Sequence, residues 1–276
     1  MKVVVSGASG FVGQALLRRL ADADADVVGV SRRRSGAGWL RVSDLAEVPA
    51  GDVLVHLAED PVRARANEGG DAYHDAALDR FARLIGKGYA RVVYASSAVL
   101  YGAMNEFPCS VESPVHVVDT YTGVKRASEV ATLAAGGVVA RLSNLYGPGM
   151  SDGNVLSTVL DQVPGRGEVV VNDDSPIRDF LWIDDAADAM AQLVLRGESG
   201  IYNVGSGVGT SIRELAGTVL ELAGESHRPI VARRRGFASQ LVLDVSRTTD
   251  AVGWRSTTPL REGLRRLLAS GPRGSS

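Results

Sequence analysis

The chain has 276 residues, of which 45% are hydrophobic, and its formal net charge is −2. This size allows one large domain or two interlocked ones, and the small net charge excludes a general nucleic-acid binder. Cys109 is the only cysteine, which excludes an internal disulfide and a multi-cysteine metal site and favours a reducing cytoplasm.

The first half of the chain alternates short, valine-rich apolar runs with helical patterns. Nearly continuous apolar runs are typical of strands buried on both faces. The predicted strands are 2–6, 26–31, 52–57, 91–96 and 137–142, and the predicted helices are 11–21, 71–85 and 119–135. This alternation predicts an α/β fold, a Rossmann-type doubly wound parallel sheet.

The second half is less regular, with helices predicted at 184–195, 212–222 and 259–268. A Gly/Pro-rich segment from residue 147 begins a smaller, loop-rich C-terminal part. The expected division is a nucleotide-binding domain of 1–146 with 178–200 returning to it, a substrate-binding part of 147–177 and 201–269, and a disordered tail of 270–276.

Membrane and metal sites are not expected. No run of the sequence approaches the roughly 20 apolar residues of a membrane span, and the N-terminus lacks the apolar region of a signal peptide. The four histidines show no metal-ligand spacing. We therefore expect a cytoplasmic protein without a metal.

Glycines follow the first predicted strand with the spacing Gly7-x-x-Gly10-x-x-Gly13. Because this loop lies between a strand and a helix, it has the context of a dinucleotide-binding site. Gly7 would permit a tight turn, Gly10 would let the backbone approach a pyrophosphate, and Gly13 would pack helix against strand. The helix N-terminus would supply N–H groups to the phosphates.

The end of the second strand indicates which cofactor binds. An acidic residue there would bind the ribose 2′-hydroxyl of NAD, but this chain has Ser31-Arg32-Arg33-Arg34. A hydroxyl and guanidinium groups suit a 2′-phosphate, so the sequence favours NADP(H) over NAD(H). Of the three arginines, Arg34 is most readily explained as a solvated surface residue.

Tyr121 and Lys125 lie four residues apart in a predicted helix, and therefore on one helix face. A nearby ammonium favours the phenolate form of a tyrosine, which gives a proton donor or acceptor suited to a carbonyl or an alcohol. Taken alone, the spacing also fits an exposed tyrosine beside a solvated lysine. The rest of the chain decides between these interpretations.

Further short motifs follow one another along nearly the whole chain. They are Gly7–Gly13, Asp44-Leu45, His56-Leu57-Ala58, Tyr94–Gly102, Tyr121-x-x-x-Lys125, Arg141–Gly149, Arg178-Asp179-Phe180, Tyr202–Gly205 and Gly253-Trp254. In this order they resemble the extended short-chain dehydrogenase/reductase family, in particular its NAD-dependent epimerase/dehydratase branch, which acts on nucleotide sugars.

The resemblance implies an NAD(P)-dependent enzyme with the catalytic residues Ser97, Tyr121 and Lys125. The implied cofactor contacts are Gly7, Ser9, Gly10, Phe11, Val12, Ser31, Arg32, Arg33, Asp44, Leu45, Leu57, Ala58, Tyr121 and Lys125. The implied diphosphate contacts of the substrate are Asn144, Arg178 and Arg233. Members of the family often form homodimers through the tyrosine helix, so a homodimer is expected.

Departures from the family pattern argue against one of the family's activities and point to altered substrate contacts. Where the dehydratases have Thr-Asp-Glu, this chain has Ser97-Ala98-Val99, which argues against a 4,6-dehydratase because no carboxylate is available for elimination. Many members also carry an Asn in the helix before the fourth strand, and residues 72–75 contain none. The family's Arg-x-Gly-Asp is replaced in residues 233–237, so the sugar or phosphate contacts there differ.

The preferred interpretation is an NADP(H)-dependent ketoreductase of a nucleotide-activated deoxysugar, with Tyr121 as the proton donor. A nucleotide-sugar epimerase, such as a 4-epimerase with retained NAD, would use the same residues. The sequence also permits a reductase of a non-nucleotide aldehyde or ketone, and a regulator that binds a dinucleotide without catalysis.

Overall fold

The structure is a computed structural model that describes residues 1–270 apart from 24, 45, 46, 61, 235, 237 and 238. The first elements are β1 (Lys2–Ser6), α1 (Phe11–Asp22), β2 (Asp26–Ser31), β3 (Trp39–Arg41), β4 (Val53–His56), α2 (Arg63–Glu68), α3 (Gly70–Ile85), β5 (Arg91–Ser97), a 3-10 turn (Ala98–Tyr101), α4 (Thr120–Ala134) and β6 (Val138–Leu142). They are followed by β7 (Asn144–Tyr146), α5 (Val155–Leu160), β8 (Val169–Val171), β9 (Ile177–Trp182), α6 (Ile183–Arg196), β10 (Gly200–Val204), β11 (Gly209–Ser211), α7 (Ile212–Leu222), β12 (Ile230–Ala232), β13 (Gln240–Leu241), α8 (Ser246–Val252) and α9 (Leu260–Ala269). The strands and helices predicted from the sequence are confirmed to within about one residue at each end.

The central sheet confirms the predicted doubly wound fold. Its seven strands are all parallel and lie in the order β10-β6-β5-β4-β1-β2-β3. Successive residues of a strand point to opposite faces. Val3 and Val5 therefore pack into one core with α1 and α6, while Val4 packs into another with Phe81 and Leu84 of α3. Helices on both faces explain the nearly continuous apolar runs.

The second half of the chain adds smaller sheets. In one of them β9 pairs with β7, β11 and β13, and in another β8 pairs with β12. Apolar side chains of α5, α7 and α9 form a third core with these strands. β10 lies at the edge of the central sheet beside β6, so the chain also contributes to that sheet beyond residue 200.

The structure also bears on the expectations for membrane spans, metal sites and the C-terminal tail. Of the helices that the structure describes, none is long and apolar enough to cross a membrane. In the same part of the chain, His, Cys, Asp and Glu side chains form no group of three that would hold a metal ion. In the predicted tail, the Ser270 hydroxyl donates to the Arg266 carbonyl oxygen, and residues 271–276 lie outside the described residues.

Candidate active site

A cavity of about 1250 Å³ lies at the carboxyl ends of the strands of the central sheet, the edge at which open α/β sheets bind ligands. The predicted catalytic residues Ser97, Tyr121 and Lys125 all line it. The predicted cofactor contacts in its walls are Gly7, Ser9, Gly10, Phe11, Val12, Ser31, Arg32, Asp44, Leu57, Ala58, Tyr121 and Lys125. Among the remaining predicted contacts, Arg33 does not line this cavity, and Leu45 lies outside the described residues.

The glycine loop after β1 is shaped as a phosphate cradle. A Cβ on Gly7, whose φ is +76°, would lie 2.6 Å from the carbonyl carbon of Leu57, and a Cβ on Gly13 would lie 2.4 Å from the Gly7 oxygen. Gly10 precedes α1 and caps it without a side-chain hydrogen bond, so the first N–H groups of the helix remain for a ligand. The loop therefore fits the pyrophosphate of a dinucleotide.

The Ser31 hydroxyl organises the end of β2. Ser31 is 5% exposed, and its Oγ accepts hydrogen bonds from the backbone N–H groups of Arg33 and Arg34 at 3.1 and 3.2 Å. The Arg34 guanidinium lies 5.1 Å from the centroid of the Trp39 ring, whereas Arg32 lines the cavity. The Ser31 hydroxyl also donates to Ser9 Oγ at 3.3 Å. At the end of β2, Ser31 and Arg32 therefore both line the cavity, and the Ser31 hydroxyl holds the local backbone in place.

Tyr121 lies in the first turn of α4, whose N-terminus is held by several hydrogen bonds. The Asp119 carboxylate accepts from the backbone N–H of Thr122 at 2.9 Å, from Asn67 Nδ2 at 3.0 Å and from Arg63 Nε at 2.5 Å. Asn67 Oδ1 in turn accepts from the backbone N–H of Tyr121 at 2.9 Å. Although burial opposes it, these hydrogen bonds lower the pKa of Asp119 to about 2.

Lys125 is buried and pairs with Glu59, a residue that the sequence reasoning missed. Lys125 Nζ lies 2.8 Å from Glu59 Oε2 and donates to the Ala95 carbonyl oxygen at 2.8 Å. Nζ also lies 5.0 Å from the centroid of the Tyr94 ring and 5.8 Å from that of the Tyr121 ring. The Lys125 ammonium therefore contacts Tyr121 as one member of an ion pair.

Glu59 is held from several sides. Its carboxylate accepts from the Tyr94 hydroxyl at 2.7 Å and from Ser128 Oγ at 3.2 Å. Burial acts to raise the pKa of Glu59, but Lys125 and the hydrogen bonds outweigh it, so this pKa is lowered. Burial acts to lower the pKa of Lys125, but Glu59 outweighs it, so that pKa is raised. One sequence signal for Glu59 was its position directly after His56-Leu57-Ala58, at the same sheet edge.

Ser97 ends β5 and lines the cavity. Its Oγ accepts from the backbone N–H of Val99 at 3.3 Å, a capping contact that any serine at a strand end can make. Because a hydroxyl both accepts and donates, the O–H of Ser97 can still donate to a ligand. The next residues, Ala98 and Val99, form the 3-10 turn and carry no carboxylate.

The predicted substrate residues do not line this cavity. Asn144 Nδ2 donates to the Asp179 carbonyl oxygen at 3.1 Å. The Arg178 guanidinium donates to the Ser239 carbonyl oxygen at 3.1 Å and to Ser239 Oγ at 2.8 Å, and burial lowers its pKa. Arg233 is exposed. The structure thus brings the glycine loop together with the side chains of Ser97, Tyr121 and Lys125. The three predicted substrate residues lie outside the cavity walls.

Residues 3–205 match the model of the NAD dependent epimerase/dehydratase family. The chain belongs to this family. The UDP-glucose 4-epimerase of Mycolicibacterium smegmatis is 28% identical to it over 97% of both chains. The fold resembles that of a UDP-glucose 4-epimerase from Thermotoga maritima solved with UDP-glucose, with a TM-score of 0.84, 20% identity and 98% of both chains covered. RMD from Pseudomonas aeruginosa, complexed with NADPH, has a TM-score of 0.82 and 27% identity over 97% of both chains.

Membership confirms the resemblance on which the sequence interpretation depended. The protein is an NAD(P)-dependent oxidoreductase of the extended short-chain dehydrogenase/reductase type. This membership favours an enzyme over the regulator without catalysis that the sequence alone permits.

Proposed function

We propose that this enzyme is an NADP(H)-dependent ketoreductase of a nucleotide-activated deoxysugar. The observation that carries the proposal is the end of β2, where Ser31 and Arg32 line the cavity and residues 31–34 contain no carboxylate. A basic strand end suits the 2′-phosphate of NADP(H). We assign Arg33 as the second guanidinium, an assignment that requires its side chain to turn toward the cavity, whose walls it does not line. The NADPH complex of the Pseudomonas aeruginosa relative supports this cofactor.

The roles of the other residues follow from their positions in the cavity. Tyr121 donates a proton to the carbonyl oxygen of the keto-sugar, and the Ser97 hydroxyl hydrogen-bonds to the same oxygen. The bound nicotinamide supplies the hydride. Lys125 uses two of its three N–H donors on Glu59 and Ala95, and we assign the third to the nicotinamide ribose.

A nucleotide sugar is the proposed substrate class. Relatives of this chain are named UDP-glucose 4-epimerases, and one was solved with UDP-glucose. We assign Asn144, Arg178 and Arg233 to the diphosphate, since guanidinium groups match phosphate oxygens. For Arg178 this assignment requires a diphosphate to replace its present contacts with Ser239.

A second candidate is a nucleotide-sugar 4-epimerase, which the names of the Mycolicibacterium and Thermotoga relatives favour. It would use Ser97, Tyr121 and Lys125 to oxidise and re-reduce one carbon with a retained NAD. The two functions differ in whether the reductant leaves the enzyme after each turnover.

Turnover of NADPH separates these functions. The purified enzyme, incubated with NADPH and a nucleotide-linked 4-keto-6-deoxysugar, is expected to oxidise NADPH stoichiometrically. Tyr121→Phe should slow this oxidation by about 10²- to 10⁴-fold, the range for a lost general acid. Tightly bound NAD in the purified protein, together with no net oxidation of added NADPH, would instead establish the epimerase.

Binding of a nucleoside diphosphate tests the substrate class separately. Arg178→Ala is expected to weaken binding of UDP or dTDP by about tenfold or more, since it removes a charge-assisted contact. Arg213→Ala, which removes an exposed arginine paired with Asp174, serves as the control. Equal binding by both variants would contradict the assignment of Arg178, and no binding of UDP or dTDP by the wild-type enzyme would indicate a reductase of a non-nucleotide substrate.

A homodimer in the cytoplasm completes the proposal. We assign the dimer contact to α4, the helix of Tyr121, where pairing would cover Val130, which is 52% exposed. The single cysteine, Cys109, supports a reducing compartment.

A further inference from the structure

The Ser143 side chain carries a buried hydroxyl that has no hydrogen-bond partner among the described residues. In that part of the chain, three side chains have such a buried atom without a partner, and they belong to Arg141, Ser143 and Gln192. Of these three described side chains, only Ser143 lines the large cavity. Native proteins leave few buried polar atoms unpaired, because such an atom has lost its water without gaining a partner. The Ser143 hydroxyl is therefore a candidate contact for a ligand.

The fold places Ser143 next to Ser97 at the carboxyl edge of the sheet. Strands β5 and β6 are parallel neighbours, and Ser97 is paired with Leu142, the residue before Ser143. The backbone N–H of Ser143 donates to the Val204 carbonyl oxygen at 3.0 Å, which holds the backbone of this segment against β10. The hydroxyl is therefore the donor of Ser143 that can bind a ligand in the cavity.

The order of the strands determines which part of a dinucleotide reaches Ser143. The glycine loop follows β1, which has β2 on one side and β4, β5 and β6 in that order on the other. At the end of β2, Ser31 and Arg32 line the cavity, and at the ends of β5 and β6, Ser97 and Ser143 line it. A dinucleotide with its pyrophosphate on the glycine loop and its adenosine at β2 therefore has its nicotinamide near Ser97 and Ser143.

The surroundings of Ser143 suit an apolar ring with one polar substituent. Leu142 and Leu145 line the same cavity on both sides of Ser143 along the chain. The amide of Asn144 donates to the Asp179 carbonyl oxygen, and Asn144 does not line the cavity. The nicotinamide ring carries one carboxamide, which has a carbonyl acceptor and an NH₂ donor. A serine hydroxyl can form a hydrogen bond with either group.

We propose that the Ser143 hydroxyl binds the carboxamide of the nicotinamide and fixes the orientation of the ring. The carboxamide is attached next to the ring carbon that carries the hydride. A hydrogen bond to it therefore holds that carbon in one orientation relative to Ser97 and Tyr121, between which the substrate carbonyl is proposed to bind. The inference rests on the dinucleotide binding that the proposed function requires, and it applies equally to a reductase and to an epimerase.

Ser143→Ala tests the proposal, because it removes the hydroxyl and changes little else. We expect cofactor-free Ser143→Ala to bind NADPH about two- to tenfold more weakly than wild type, the effect of one neutral hydrogen bond. It should bind 2′-phospho-ADP-ribose, which lacks the nicotinamide, as tightly as wild type does. Titration calorimetry measures both affinities. If the two proteins bind NADPH equally, or if Ser143→Ala loses affinity for both ligands alike, the proposal is wrong.

The same measurements with NADH and ADP-ribose separate this test from that of the proposed function. An enzyme that prefers NAD would contradict the proposed NADP(H) dependence. Ser143→Ala should still weaken the binding of NADH and leave that of ADP-ribose unchanged, so a wrong cofactor assignment is not mistaken for a wrong role of Ser143.

Urea denaturation of the cofactor-free protein gives a second measurement. A hydroxyl without a partner does not stabilise the fold, so Ser143→Ala should unfold at the same urea concentration as wild type or at a higher one. Ser96→Ala is the matched control, since Ser96 lines the same cavity but its Oγ donates to the buried Glu129 carboxylate at 2.6 Å, and this variant should unfold at a lower concentration. A midpoint of Ser143→Ala lowered as far as that of Ser96→Ala would show that the Ser143 hydroxyl stabilises the fold, and would overturn the proposal.

Discussion

Helix α4 carries two buried ion pairs, four residues apart and therefore on one side of the helix. Lys125 pairs with Glu59, and Glu129 pairs with Arg141 at 2.8 Å. All four side chains are at most 10% exposed, but only the first pair lines the large cavity. Burial of charge alone therefore does not distinguish a reactive site from a structural one.

The difference between the pairs lies in where their hydrogen bonds go. The Glu129 carboxylate accepts from Ser96 Oγ at 2.6 Å, from two Arg141 nitrogens at 2.8 Å each and from Arg126 at 3.2 Å. These contacts join α4 to β5 and β6. At the other pair, Lys125 lines the cavity and uses two of its three N–H donors on Glu59 and Ala95. The contacts of Glu129 tie the helix to the sheet and stabilise the fold, whereas the pair in the cavity wall can also bind a ligand.

The largest loss of stability is expected when the Glu129–Arg141 pair is broken. Glu129→Gln leaves the guanidinium of Arg141 buried and charged, because arginine does not lose its proton. We expect the free energy of unfolding to fall by about 3–5 kcal/mol, measured by urea denaturation. Arg126→Ala, which removes a partly exposed partner, should cost less than about 1 kcal/mol.

This comparison can fail in a specific way. If Glu129→Gln remains as stable as wild type but loses NADPH oxidation, both pairs act in the reaction. Lining the cavity would then not distinguish a reactive ion pair from a structural one.

A second prediction concerns His56, which lies beside the cavity pair and is 3% exposed. Burial lowers its pKa from 6.5 to about 4, so between these values the unfolded chain binds more protons than the folded one. Stability is therefore fully present above pH 6.5 and declines as the pH falls toward 4, by up to about 3 kcal/mol.

Urea denaturation between neutral pH and about pH 4 measures this contribution. His56→Gln should flatten the pH dependence of the free energy of unfolding, since glutamine does not titrate. His227→Gln, at an exposed position, should keep the wild-type slope. If the free energy of unfolding depends on pH equally in all three proteins, water reaches His56 in the folded state. The cavity side of α4 would then be more hydrated than the side around Glu129.

Local patterns in the sequence predicted the parallel sheet, the glycine loop and the Tyr121–Lys125 face, because each depends on residues close together along the chain. Glu59 and Asn67 were missed because their partners are distant; Asn67 and Asp119, for example, are 52 residues apart. Only the packing of α2, and of the loop that follows β4, against α4 brings these residues next to their partners. The family's asparagine was sought at residues 72–75, whereas Asn67 in α2 contacts the tyrosine helix.

Replacing Asn67 should change stability least, and it tests the cavity end of α4 by itself, because Asn67 contacts Tyr121 and Asp119 there. Asn67→Ala removes the hydrogen bonds to the Tyr121 N–H and to Asp119, which should reduce the free energy of unfolding by about 1 kcal/mol. Asn67→Asp retains the acceptor for Tyr121 but places a second carboxylate beside Asp119, so urea denaturation at neutral pH should find it less stable than Asn67→Ala. The order should reverse below about pH 4, where the new carboxyl is protonated. If the two variants keep the same order of stability at both pH values, Asn67 acts by packing. The stability of the cavity end of α4 would then not depend on charge, unlike that of the end at Glu129.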